Sequence, residues 1–312
     1  MRILITGVAG FIGSNLAARL SAEGATVVGI DNLSAGVKEN VPPSVLFHDE
    51  DICSRAMYPL FEGVDAVVHL AAKNCLADCL QDPVETAEIN VAGTANVLEA
   101  ARRAGVRKFV YADTSAEYEG VFEFPSQVDR VAPLSVYARS KRAGAMFCEA
   151  YRQFFGLRLT VVRYFNVYGP AQDWRRSIPP LMSAFAIKML SGERPIIYGS
   201  GEKRRDFIYI DDVTEFNLLA LNDPDGNVYN VGSGVNHSVN EIFREVEAVL
   251  ETGLRPIYTD DLPGEAEITL AEISKERQLG WAPRVGLREG IERSIAYVRE
   301  RVVGEGSRSR RG

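Results

Sequence analysis

The sequence predicts an α/β protein built on a doubly wound parallel sheet, with a smaller mixed α/β part toward the C-terminus. Three observations predict it. Short apolar, β-branched runs alternate with helix-period segments through the first half, as strands buried on both faces and their crossover helices require. The first such run ends in a glycine-rich turn that opens a helix. After Asn166 the alternation gives way to shorter, mixed elements interrupted by Tyr168-Gly169-Pro170 and Pro179-Pro180.

Taken in order, strands are expected at 2–6, 26–30, 45–48, 66–70, 109–112 and 159–164. The helices between them fall at 11–23, 53–62, 84–104 and 136–155, the last two running into Gly105 and Gly156, where a helix commonly closes. Right-handed crossovers wind these units into one sheet covered on both faces. The pattern change sets a boundary at Asn166, with a first domain over 1–166 and a second over 167–312. Parts of 207–231 are expected to pack back onto the first domain. In the second, helical periodicity recurs at 178–191, 211–221, 239–252, 271–279 and 287–302, with brief strands at 196–198, 207–210, 227–231 and 256–258. Linkers are expected at 199–203 and 262–265.

Composition narrows the function. The chain has 312 residues, 46% hydrophobic and 25% charged, with a formal net charge of -7. Such a chain buries a core without disulfides, and its acidity argues against nucleic acid as a partner, because phosphate binding needs a basic face. No apolar run reaches the roughly 18–20 residues of a membrane span, and the apolar start runs straight into glycines rather than a cleavage site. Four scattered cysteines, Cys53, Cys75, Cys79 and Cys148, do not form a disulfide framework and point to a reducing, cytoplasmic compartment. Cys75 and Cys79 lack a second Cys or His pair, so no metal site is expected.

The turn after the first strand reads Gly7-Val8-Ala9-Gly10-Phe11-Ile12-Gly13. Glycines there let backbone N–H groups and a helix N-terminus approach a pyrophosphate, although a tight strand-to-helix turn without a ligand has the same spacing. Asp31 ends the second strand, where a carboxylate accepts hydrogen bonds from ribose hydroxyls and repels a 2′-phosphate. The expected cofactor is therefore NAD rather than NADP. Asn32 suits the ligand or a turn equally well, and Asp51-Ile52 suits either the adenine or, at Asp51, a helix cap.

Tyr137 and Lys141 lie four residues apart on the helix expected at 136–155, so they share a face. An ammonium beside a phenol favours the phenolate and makes Tyr137 a candidate general base.

These features occur in order with His69-Leu70-Ala71-Ala72, Asn90-Val91-Ala92-Gly93-Thr94, Thr114, Arg163-Tyr164-Phe165-Asn166 and Arg205-Asp206-Phe207-Ile208-Tyr209. Over nearly the whole chain the sequence resembles the NAD-dependent nucleotide-sugar epimerase/dehydratase family of extended short-chain dehydrogenases/reductases, and within it the UDP-hexose 4-epimerases. The resemblance implies a Rossmann-type NAD domain and a homodimer whose helices at 84–104 and 136–155 pair across a two-fold axis. It implies that Tyr137 is the acid/base on the sugar 4-hydroxyl, that Lys141 holds the nicotinamide ribose and tunes Tyr137, and that Thr114 bonds the same hydroxyl. Leu70, Ala71, Ala72 and Asn90 are implied to line the cofactor pocket together with the glycine loop. For the UDP-sugar it implies Asn166 and Arg205 at the diphosphate, Tyr198 at the uracil, and Leu181, Glu265 and Thr269 around the ribose and sugar. For Arg205 a structural pair with Asp206 or Asp211 remains the alternative, and Arg204 offers a second charge.

The reaction this implies is interconversion of UDP-glucose and UDP-galactose through a 4-keto sugar, with NAD tightly held and regenerated. Sugar dehydratases resemble this stretch but carry an Asp-Glu pair after the threonine, where this chain has Ser115 and Ala116. Glu117 is one residue too late and is expected to be a surface or packing carboxylate. Leu262 stands where relatives commonly have an arginine, which Arg204, Arg175 or Arg176 would replace. Thr269 leaves room for an N-acetyl group. The alternatives are a UDP-N-acetylglucosamine or UDP-glucuronate 4-epimerase, another nucleotide-sugar enzyme of the family, or a silent dinucleotide-binding scaffold.

Overall fold

The structure, a computed structural model, describes residues 1–172, 179–224, 226–261 and 266–303. Seven parallel strands form the main sheet in the order β10-β6-β5-β4-β1-β2-β3. Its first six strands are β1 (Arg2–Thr6), β2 (Thr26–Asp31), β3 (Leu46–Asp49), β4 (Ala66–His69), β5 (Lys108–Thr114) and β6 (Leu159–Tyr164), within two residues of the expected bounds at every end. The seventh, β10 (Val228–Val231), arrives from far along the chain and pairs with β6 in parallel. Alternate residues feed two cores. Ile3, Ile5, Val68, Val110 and Val162 pack on one face, and Leu4, Val28, Val67 and Phe109 on the other. This is why these strands read as continuous apolar runs.

The helices depart from expectation in instructive ways. α1 (Phe11–Ala22) and α5 (Val136–Phe155) fall where the periodicity placed them. The helix expected at 53–62 is a 3-10 turn over Arg55–Phe61 containing Pro59. The one expected at 84–104 is three pieces: α3 (Pro83–Ala87), a π-turn at Glu88–Gly93 and α4 (Thr94–Arg103), preceded by α2 (Leu76–Gln81), which the pattern did not reveal. Asp82 starts α3 by accepting the Glu85 N–H at 2.9 Å.

Tyr164 ends the large sheet, and β7 (Asn166–Tyr168) begins a small one. α6 (Leu181–Leu190) leads to β8 (Ile196–Tyr198) and then β9 (Arg204–Tyr209), which starts three residues earlier than expected. α7 (Ile210–Asn222) crosses back over α1 before β10. Then come β11 (Asn236–Ser238), α8 (Val239–Leu250), β12 (Ile257–Thr259), α9 (Ser274–Gln278) and α10 (Leu287–Val298), the last followed by a π-turn at Arg299–Val303. β11, β9 and β7 form a three-stranded sheet, β12 and β8 a parallel pair, and α6, α8 and α10 pack together. β7 and β11, three residues each, were not read from the sequence, whereas β8 and β12 of the same length fall within one residue of the strands expected at 196–198 and 256–258. No helix among the described residues is long and apolar enough to cross a membrane.

Candidate active site

The strand order reverses between β1 and β4, so the crevice beyond their C-terminal ends is the topological switch point where open α/β sheets bind ligands. The glycine loop follows β1. Gly7 has φ +72°, and a Cβ there would stand 2.8 Å from Ala71 N. A Cβ on Gly13 would stand 2.2 Å from Gly7 O, so α1 can approach β1 this closely only without a side chain. Gly10 caps α1 without a side-chain bond and no acid lies in the first turn, leaving N–H groups at Phe11 and Ile12 open to an anion. These features fit a dinucleotide pyrophosphate.

Asp31 ends β2 and accepts from Ala9 N at 3.0 Å and Leu33 N at 2.9 Å, one bond on each carboxylate oxygen. It thereby ties the glycine loop to β2 and keeps a lone pair on each oxygen for a ribose. Asn32 accepts Ser34 N at 3.1 Å, the turn role anticipated for it, and donates to Asp51 Oδ2 at 3.0 Å; Asp51 Oδ1 accepts Cys53 N at 2.7 Å in a turn, and the helix cap expected of Asp51 is supplied by Ser54 instead. Ile52 is buried, its Cδ1 2.8 Å from where a Cβ on Gly93 would stand.

The end of β4 is joined to β1 by hydrogen bonds that fix a histidine tautomer. Thr94 Oγ1 donates to Asn90 O at 2.7 Å, so it must accept from His69 Nε2 at 3.0 Å. His69 Nδ1 then accepts from Thr6 Oγ1 at 2.6 Å, which in turn accepts Ala71 N at 3.3 Å. Burial, and then the charge of Lys141, lower the His69 pKa to about 3, so it is neutral. Leu70 N bonds Thr6 O at 3.1 Å, placing Leu70, Ala71 and Ala72 on the rim of the crevice. Asn90 differs from expectation. It is fully buried, and its amide binds Lys73 N, Lys73 O and Ser140 Oγ, each at 2.9 Å. It positions the loop and α5 and does not itself line open space.

α5 presents the pair. Ser135 caps it by accepting Ala138 N at 3.0 Å, and Glu119 clamps the cap by accepting from Ser135 N and Oγ at 2.7 and 2.8 Å. Tyr137 is half-buried two residues into this start, and Lys141 is buried one turn on, its Nζ 4.3 Å from the centroid of the Tyr111 ring. Burial lowers the Lys141 pKa to about 8, against the raising influence of Asp113, Cys148 and Glu117. Gly144 permits this approach, since a Cβ there would meet Tyr111 Oη at 2.3 Å. Ser135, Glu119 and Gly144 escaped the sequence reading; a serine two places before Tyr137 was the available signal. Thr114 ends β5, and its Oγ1 accepts Ala116 N at 3.1 Å while Ser115 beside it is more open.

Glu117 is a packing carboxylate and not a surface one. It and Asp113 are buried against Arg163, whose Nε lies 3.2 Å from Asp113 Oδ2 and whose Nη2 lies 2.8 Å from Glu117 Oε2. Arg163 Nη1 also donates to Tyr118 Oη at 2.8 Å.

Across the crevice, Asn166 opens β7 and Thr269 reaches it, donating to Asn166 Oδ1 at 3.4 Å and accepting Asp206 N at 3.0 Å. Arg205, on the adjacent β9, donates to Arg204 O and Glu267 O at 3.1 and 3.3 Å. The two anticipated carboxylates are engaged elsewhere: Asp206 accepts from Ser233, Gly234 and Ala271 backbone N–H groups, and Asp211 pairs with Arg293. Arg204 is no spare charge, because its guanidinium grips Asn236 and Glu241. Tyr198 ends β8 with 37% of its surface exposed, and Leu181 starts α6 half-buried. Glu265, Leu262, Arg175 and Arg176 lie outside the described residues.

Residues 3–232 match the model of the NAD dependent epimerase/dehydratase family. A putative UDP-glucose 4-epimerase of Methanocaldococcus jannaschii is 36% identical over 304 residues, covering 95% of this chain and 98% of the relative. A UDP-glucuronate 4-epimerase of Thermodesulfobacterium geofontis is 34% identical, covering 96% of each. The crystal structure of a UDP-glucose 4-epimerase from Thermotoga maritima with UDP-glucose superposes with a TM-score of 0.94 at 35% identity, over 97% of this chain and all of that one. Glycine loop, switch-point crevice, tyrosine–lysine pair and these matches agree: the chain is an NAD-dependent enzyme of the nucleotide-sugar epimerase/dehydratase family.

Proposed function

We infer that the enzyme interconverts UDP-glucose and UDP-galactose by inverting C4, and that it holds NAD tightly from one turnover to the next. One observation carries this reading. Tyr137 stands half-buried one turn from Lys141, while the two carboxyl groups that flank Thr114-Ser115-Ala116, Asp113 and Glu117, are sealed on Arg163. Elimination and decarboxylation need a further acid or base on the sugar; epimerisation needs one.

Bound NAD supplies the oxidant for the sugar C4–H bond and returns the electrons to it. Tyr137 takes the 4-hydroxyl proton and later restores it. Lys141, as an ammonium, favours the phenolate. Thr114 uses an acceptor site for Ala116 N and keeps its proton to donate to the 4-oxygen, with the more open Ser115 alongside. Asn166 and Arg205 are the diphosphate ligands, the exposed Tyr198 ring stacks on uracil, and Leu181, Thr269 and Glu265 bound the ribose and sugar. Four free cysteines accord with a cytoplasmic enzyme.

Thr269 favours a second reading. A small residue at the sugar wall leaves space for an N-acetyl group. Proton NMR of the purified enzyme without added NAD, given UDP-galactose, UDP-N-acetylglucosamine or UDP-glucuronate separately, decides between substrates by which C4 inverts. Turnover that appears only with added NADPH, which is consumed, refutes epimerisation. Tyr137→Phe is expected to lower kcat by about 10²–10⁴-fold while NAD remains bound; undiminished turnover removes Tyr137 from the mechanism.

A further inference from the structure

Asp113 and Glu117 present two carboxyl groups to one buried guanidinium. Both side chains have no exposed surface, and Arg163 has 2%. Arg142, the other cation in reach, stands 3.8 Å from Glu117 Oε2 at the protein surface. Hydrogen bonding is also short of donors. Asp113 Oδ1 and both Glu117 oxygens lack a hydrogen-bond donor, because the 2.8 Å approach of Arg163 Nη2 to Glu117 Oε2 is poorly aligned. A proton held between the two carboxyl groups supplies the missing donor and removes the surplus negative charge. In keeping with this, burial, and then the charge of Asp113, push Glu117 up to about 8 against the pull of Arg163.

The pair lies within electrostatic reach of Lys141, whose ammonium both carboxyl groups favour. We propose that Asp113 and Glu117 form a proton-holding counter-charge for Lys141, yielding their shared proton as pH rises so that the lysine keeps its own. Glu117 passes from acid to carboxylate, the proton leaves to solvent past Arg142, and the new negative charge stabilises the ammonium. Glu117 is thus a positioning residue that acts on Tyr137 through Lys141, and the proposal rests on the acid/base reading given above for that pair.

The other groups around Lys141 do not compete. His69 on β4 is neutral. Burial holds Tyr111 on β5 and Cys148 on α5 protonated and lifts Tyr118 to about 12. Arg163 on β6 and Arg142 on α5 stay cationic. Among these groups Glu117, pushed up to about 8, is the one that changes charge near the lysine's own range.

The test is NMR of the full chain with isotope-labelled lysine. The chain has seven lysines, and the Lys141 signal is identified by its loss in Lys141→Arg. Glu117→Gln keeps the shape and a donor toward Asp113 but cannot ionise. The Lys141 midpoint is expected to fall by about half a pH unit or more in Glu117→Gln; equal midpoints overturn the proposal. If that variant does not fold, Asp113→Asn decides by the same measurement: removing this carboxylate should likewise lower the Lys141 midpoint, and a midpoint equal to wild type overturns the proposal. The basic limb of kcat should shift with the lysine. A shifted midpoint with an unmoved limb upholds the counter-charge and instead refutes the acid/base role of the Tyr137–Lys141 pair.

Discussion

Gly13 has no room for a side chain, since the added Cβ would sit 2.2 Å from a backbone oxygen that cannot swing away. Gly13→Ala is therefore expected to displace the loop and lower NAD affinity at least about tenfold, measured as the loss of co-purifying nucleotide absorbance in protein whose circular dichroism is unchanged. Two buried groups set opposite pH slopes on stability. His69 titrates at 6.5 ordinarily and about 3 in the fold, so its contribution is complete above 6.5 and is lost as pH falls from there toward 3. Burial pushes Glu276 up from 4.5 to about 7, so its contribution is complete below 4.5 and is lost as pH rises toward 7. Melting temperatures across pH 3–8 should show Glu276→Gln flattening the upper slope and His69→Asn the lower one; parallel curves for variant and wild type contradict the assignment. At this scale the glycine loop, Asp31, Tyr137 and Lys141 were legible because their spacing is local. The Glu117–Arg163 contact was not, because the partners are 46 residues apart in sequence and meet only when β5 pairs with β6.

Among the elements, the bounds of α5 were legible from its amphipathic run and from Gly156, at φ +67°, after it, although its Ser135 cap was not read. The π-turn at Glu88–Gly93 was hidden because the apolar pattern continues through it on both sides. α5 also carries the homodimer proposal. Met146, Phe147 and Phe154 are 57%, 42% and 72% exposed and recur at helical spacing. Leu80 on α2 and Val84 on α3 add apolar surface that the expected pairing helix, 84–104, supplies only at its start. Replacing Phe147 and Phe154 together by Glu should convert a dimer to a monomer in light scattering; an unchanged mass shows that the chain associates elsewhere or is monomeric.

Over the whole molecule, acidity had excluded a global basic surface, yet both NAD and a UDP-sugar are anions. The open N-terminus of α1 and Arg205 are the local groups proposed to meet them instead. The division at Asn166 remains a proposal about where the chain changes role, because α7 and β10 return to cover and complete the first sheet. A fragment of residues 1–166 would leave the β6 edge unpaired and is expected to aggregate, whereas residues 1–232 should stay in solution longer; sedimentation of the two fragments after refolding distinguishes them. Fragments that sediment alike contradict the role given to β10.

The late arrival of β10 has a consequence for how the protein is made. Between the emergence of Tyr164 and that of Val231 the ribosome adds about 67 residues, roughly 3–13 s of synthesis. For that interval the nascent sheet presents an open strand edge to the crowded cell, and a chaperone that shields such edges would find its target here, on β6, while the glycine loop and Tyr137 are already made and the far wall of the crevice is not.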